Sequence, residues 1–266
     1  MGALTKSVAP RACPVVLDAK YDEDLVGVCE AAQRLLDHAV HQLGSTKPTD
    51  DRGAAVRLWH LALGALSISS CRGVVTEVVH KNIRAAQSLH RSIVECLIRL
   101  RYFQLHDEEA ENQWINRPLD FSGMLSDLGS TSPEAAVIAA QAAEAKNKLP
   151  KNWRPRTVKE MVVALEGDKK AGVRSYAHIY RWPSQASHGT TIGISTIFHV
   201  TTDGRFELDI YGTEMDPNKT LAPTAAAMLT LVRDFSDYYH IAQAAALDDL
   251  GRALDSVDER LGLRDD

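Results

Sequence analysis

Residues 82–106 read NIRAAQSLHRSIVECLIRLRYFQLH, and this stretch decides the fold. Its apolar residues (Ile83, Ala86, Leu89, Ile93, Val94, Leu97, Ile98, Leu100 and Phe103) recur at three- and four-residue intervals. On a helical wheel they cover more than half the circumference, which predicts an interior helix with neighbours on several sides. Arg84, Ser88, Arg91, Glu95 and Tyr102 collect in the narrow sector that remains. A row of ionisable groups on such a helix either meets water or gathers around something.

The flanking segments continue the helical texture. Asp22–Leu43 carries one apolar face, with Gly44 as its stop. Asp50 is a fair N-cap for a helix over Gly53–Ser69, followed by a breaker region at Ser70–Gly73. The β-branched piece Val74–Val79 is ambiguous by periodicity alone. An acidic stretch, Asp107–Glu111, precedes an expected break at Arg117-Pro118 and a short segment near Phe121–Leu128. Ser132-Pro133-Glu134 opens another helix, with Ser as cap and Pro in the first turn.

Thr157–Glu166 and Lys169–His188 read as two further helices, the second kinked by Pro183. Thr196–Thr202, Asp203-Gly204 and Arg205–Tyr211 give a hairpin signal, because Asp-Gly supplies the positive-φ turn. Thr220–Leu261 is a long helical region with Gly251 as its expected interruption. The fold expected is mainly α, a helical bundle with a small β-hairpin insert near 196–211. Residues 1–20 are expected to be a tail and 21–262 a single domain, with a signature-bearing core at about 50–200 and a C-terminal long helix at about 220–262.

Composition is that of an ordinary globular chain: 45% hydrophobic, 24% charged and only 6% aromatic. A net charge of −5 argues against a protein that coats nucleic acid or anionic membrane with its whole surface. Cys13, Cys29, Cys71 and Cys96 are widely spaced and form no CxxC pair, which suits reduced, mostly buried thiols. Read as a sequence, the chain offers no apolar run near the roughly 18 residues needed to span a bilayer, and no h-region behind Lys6 and Arg11. The expected location is the cytoplasm.

Two short signatures carry the chemistry. Arg91 and Glu95 stand four apart, and so do Tyr180, Ser184 and His188. A surface ion pair is the plain reading of the first, but Arg before Glu is the less favourable order and the helix is too apolar for the surface. For the second, His can shuttle a proton while Tyr and Ser donate hydrogen bonds. A structural network pinning two helices together is the equal alternative.

Leu89-His-Arg-Ser-Ile-Val-Glu95 with Tyr102 downstream, followed by Tyr180-x3-Ser184-x3-His188-Gly189, resembles a widespread bacterial family of helical domains of unknown function. The resemblance covers approximately residues 50–200 and marks Arg91, Glu95, Tyr180, Ser184 and His188 as its polar positions. Pro183 departs from it. A weaker analogy joins Arg181-x6-His188 to the helical ribonucleases of the HEPN type, which carry Arg-x4–6-His at a dimer interface. That analogy implies metal-independent cleavage of RNA, with Arg181 stabilising charge on phosphorus and His188 as acid or base.

Glu77-x2-His80 and His38-x2-His41 fall short of a di-iron set, which needs two Glu-x2-His pairs and two further Glu, so neither metal nor cofactor is expected. In the loop Lys146–Arg156, Lys151, Trp153, Arg154 and Arg156 interleave cations with an aromatic ring, a pattern suited to phosphate contact and base stacking. Two functions follow. One is a ribonuclease-like effector of defence or toxin–antitoxin type, with His188, Arg181, Glu95 and Arg91 catalytic and Tyr180, Ser184, Arg84 and Tyr102 binding. The other is a non-enzymatic helical module that binds a small ligand or a partner, its polar row being structural. Expected partners are RNA and a second copy of the chain, with no membrane.

Overall fold

The computed structural model describes residues 20–46, 53–177, 198–200, 206–208, 211–212 and 215–263. The chain is mainly α. Helix α1 spans Glu23–Ser45, α2 Ala54–Val79, α3 Ile83–Leu105, α4 Asp107–Asp127, α5 Pro133–Lys148, α6 Val158–Glu166 and α7 Lys169–Tyr176. After them come α8, Asn218–Tyr239, and α9, Ala244–Leu261. Strands β1 (Phe198–Val200) and β2 (Phe206–Leu208) pair antiparallel, with Phe198 opposite Leu208 and Val200 opposite Phe206. The Asp203-Gly204 turn expected between them lies outside the described residues.

Local chemistry sets the helix starts. The Asp22 carboxylate accepts from the backbone of Asp24 and Leu25, Ser132 accepts from Ala135, and Thr157 and Glu160 close a reciprocal capping box. Each such cap is worth about 1 kcal/mol. The bundle is built from α1, α2, α3 and α8, with α9 laid along α1 and α8. Its centre holds Leu25, Leu36, Ile93, Leu100, Phe103, Met228 and Phe235, all fully enclosed. Helix α6 packs on α3, α7 packs on α6, and α4 leans on α2 and carries α5. Cys29, Cys71 and Cys96 are free and buried, and Cys13 lies outside the described residues.

Three expectations need correcting. Ser70–Gly73 does not break α2, which runs unbroken from Ala54 to Val79. Ser67 turns its hydroxyl back to the Leu63 carbonyl, and Ser70 and Cys71 are buried as small core residues. Gly73 lets α3 come close, since a Cβ there would meet Leu89 Cδ1 at 2.7 Å. As one helix, α2 has an 18-residue window of mean hydropathy 1.3, long and apolar enough by length and composition to cross a membrane. The small polar residues had divided that run in the sequence reading. In the fold α1, α3, α4 and α8 all pack on it.

The second correction concerns α4, which passes through Pro118 without ending. Proline there removes one backbone donor, and α4 still continues for nine residues beyond it, to Asp127. The third concerns the C-terminal region, where α8 and α9 are separate helices and the break falls at His240 rather than Gly251. His240 adopts a left-handed conformation (φ 56) as the C-cap of α8. Gly251 lies inside α9 with nothing near its Cα to exclude a side chain.

Candidate functional site

Helix α3 places the polar residues of residues 82–106 on one side. At 100° per residue, Arg84, Ser88, Arg91, Glu95, Arg99, Tyr102 and His106 all fall within a sector of about 80°. Arg84, Arg91, Glu95 and Arg99 are half-buried, Ser88 is exposed, and Tyr102 is buried. The stripe begins where the Arg84 amide donates to the Tyr211 carbonyl at 3.2 Å. It ends in a cleft at the junction of α3 and α4.

Among the described residues, Glu95 is engaged by an arginine of its own helix. Arg99 Nε and Nη2 both donate to Glu95 Oε1, at 3.0 and 2.8 Å. Here Glu precedes Arg by four residues, the favourable order along a helix. The expected partner from sequence spacing is Arg91, four residues earlier; the structure adds Arg99. The spacing signal was available, because Arg99 continues the stripe between Glu95 and Tyr102.

At its lower end, Tyr102 stacks on His106 with ring centroids 4.4 Å apart. A cleft of about 420 Å³ opens there, lined by Tyr102, Leu105, His106, Glu109, Arg156 and Ala164 among others. It shares Glu109 and Arg156 with a neighbouring cleft of about 230 Å³ that reaches Asn152, Trp153 and Arg154. Burial pushes the Tyr102 phenol up, Glu109 adds to the shift and Arg156 opposes it, so the phenol keeps its proton.

The loop 149–157 turns its basic and aromatic residues toward carboxylates. Trp153 Nε1 donates to Glu109 Oε2 at 3.0 Å, and Arg156 Nε lies 3.5 Å from Glu109 Oε1. Arg154 forms a two-pronged pair with Glu160, which also accepts from the Thr157 amide at 2.8 Å. The Arg154 contact and the Thr157 cap hold the Glu160 carboxyl down at about 2. Lys151 is exposed. Glu109 and Glu160 were missed as site residues. The Thr157-x2-Glu160 capping pattern could have flagged the second.

Tyr180, Arg181, Ser184 and His188 lie outside the described residues, so the structure neither joins them to Arg91 and Glu95 nor separates them. His38 and His41 are exposed, with His41 3.7 Å from Asp37. Glu77 accepts from Asn82 Nδ2 at 2.7 Å, and His80 Nδ1 sits 2.8 Å from the Thr76 carbonyl. Among the described residues no group of three or more His, Cys, Asp or Glu is placed to hold a metal ion.

Two buried imidazoles escaped the sequence reading. His60 Nδ1 is 2.8 Å from the Tyr239 hydroxyl, and its ring packs edge-on to Tyr238 and Tyr239. Among the described residues its buried Nε2 has no hydrogen-bond partner. Burial lowers the His60 pKa to about 4, although the Leu100 carbonyl works against the shift. Burial likewise raises the Tyr239 phenol well above its ordinary value. His90, which directly precedes Arg91, sits 3.0 Å from Thr224 Oγ1 and is lowered by burial to about 4. Both rings are neutral packing elements of the bundle.

No curated protein and no solved structure is significantly similar to this chain. A family described only as being of unknown function, DUF5677, matches residues 59–206, a span that includes α3 with its polar stripe, the cleft and the loop 149–157. That span is more than half of the 266 residues, and the chain therefore belongs to the family of unknown function DUF5677.

Proposed function

We propose that the chain is a non-enzymatic helical interaction module, with the polar stripe of α3 and the cleft at its end as the recognition surface. The observation that carries this reading is the pairing of charges along the site. Glu95 is held by Arg99, Glu109 by Trp153 and Arg156, and Glu160 by Arg154. A general base needs a lone pair aimed at substrate and a pKa near the working pH. Tyr102, at the heart of the cleft, is shifted away from neutrality. Paired groups at a half-open cleft can instead exchange partners with a polar ligand. A phosphate approaching Arg154 or Arg156 would meet Glu160 and Glu109 first, which makes the loop a poor anion site.

The competing reading is metal-independent RNA cleavage by Arg181 and His188, and it rests on sequence spacing alone. The discriminating experiment incubates the full chain with single-stranded RNA in the presence of a chelator. Intact RNA supports the module. Cleavage that disappears in a folded His188→Ala variant overturns it.

A further inference from the structure

The cleft at the elbow between α3 and α4 contains a polar group that the fold does not use. Tyr102 is only 3% exposed, yet among the described residues its hydroxyl makes no hydrogen bond. The ring packs edge-on to Phe103 and against His106, which fixes the phenol where it lines the cleft. A side chain so enclosed normally has its polar atom paired. An unpaired hydroxyl on a cleft wall points to a ligand.

Charge around that hydroxyl selects the ligand. Asp107, Glu108 and Glu109 line the cleft with Arg156, so three carboxylates face one guanidinium. Arg156 reaches only Glu109, at 3.5 Å. Asp107 accepts from the neighbouring Glu108 amide, and among the described residues neither Asp107 nor Glu108 has a cationic partner. Acids in the first turn of α4 suit the helix dipole, which accounts for their position but not for the unpaired phenol. Leu105, 69% exposed, and Ala164 give the cleft an apolar side.

We propose that this cleft binds an alkyl cation, an ammonium or guanidinium group on an aliphatic stem. The head meets the Asp107 and Glu108 carboxylates and donates to the Tyr102 oxygen, while the stem lies against Leu105 and Ala164. Tyr102 keeps its proton, so its hydroxyl can accept from the cation and still donate to a carbonyl beside it. Arg156 on Glu109 is an intramolecular instance of the same contact, on the same wall. The assignment rests on the interaction-module reading and names the chemistry of its ligand. A lysine or arginine side chain of a protein and a free small cation share that chemistry.

The test is an NMR titration of the full chain with butylguanidinium chloride, against sodium chloride of equal ionic strength and sodium phosphate. Expected are saturable shifts centred on residues 102–109, Arg156 and Ala164 with butylguanidinium, and none with either reference salt. Tyr102→Phe keeps the ring packing and should weaken binding about tenfold, and Glu108→Gln about threefold, both with the parent's melting temperature. The peptide acetyl-Gly-Arg-Leu-Gly-amide separates the two sources. Tighter binding than butylguanidinium assigns the cation to a protein side chain, equal binding to a free small molecule, and both support the site. No saturable shift with either probe would overturn the proposal, as would binding indifferent to both substitutions. Saturable phosphate binding at these residues would overturn the cation and leave the interaction module standing. RNA cleavage lost in His188→Ala would overturn the module itself.

Discussion

His90 donates to Thr224. The two atoms, Nδ1 and Oγ1, are 3.0 Å apart, and Thr224 has already given its own proton to the Thr220 carbonyl at 2.7 Å. The hydroxyl can only accept from the ring, so the imidazole carries its hydrogen on Nδ1. This contact ties α3 to α8 inside the core, one residue before Arg91 on the polar stripe.

Thr224→Val keeps the shape and removes the acceptor. A buried donor left without a partner costs about 1–3 kcal/mol. Equilibrium urea unfolding should show a loss of that size. A midpoint unchanged from the parent would mean that His90 finds another acceptor.

Acid should unfold the bundle before most carboxylates titrate. His60 and His90 have folded pKa values of about 4 against 6.5 for an ordinary imidazole. Between those values the unfolded chain binds more protons, so stability is complete above pH 6.5 and falls as the pH drops toward 4. Each ring can contribute a loss of about 3 kcal/mol across that window. Melting temperatures from pH 7 to pH 4 should decline accordingly, and the decline should be shallower in His90→Gln. A flat profile would show that the rings are protonated in the fold.

Gly172→Ala should loosen α7 from α6. A Cβ at this position would lie 2.5 Å from the Val163 Cα, a backbone atom that cannot swing aside. Overpacking of this sort costs typically about 1–3 kcal/mol. Amide exchange should speed up in α6 and α7 while the α1–α2–α3–α8 core stays protected. Unaltered exchange in α7 would contradict the close packing.

Removing Arg154 and Arg156 together should leave any affinity for single-stranded RNA unchanged, because both guanidinium groups are engaged by Glu160 and Glu109. Fluorescence anisotropy at low salt reads this directly. A clear fall in affinity would return the loop to the nucleic-acid role that its composition suggested. The double variant should melt within a few degrees of the parent, since exposed ion pairs contribute only about 0–1 kcal/mol each.

Several local features were legible in the chain before any coordinates. Ser132 could be read as a cap because capping needs only a short polar side chain at a fixed offset. The α3 stripe could be read because helical geometry places every fourth or third residue on one side. Ser70–Gly73 misled because small and polar residues are poor helix formers alone, yet they are what a crowded helix contact requires, as Leu89 against Gly73 shows. Pro118 misled because a single lost hydrogen bond was weighed without the packing of α4 on α2 and α5.

Within one helix, then, the sequence by itself determined which side chains share a face, including Arg84, Arg91, Glu95 and Tyr102. That relationship depends only on rotation per residue. Tertiary structure decided which of them meet residues far away in the chain: Tyr102 beside Arg156, Trp153 on Glu109, His90 on Thr224. Those pairings depend on how whole helices dock, and docking is settled by the fit of many apolar side chains at once. No spacing rule along a single segment contains that information.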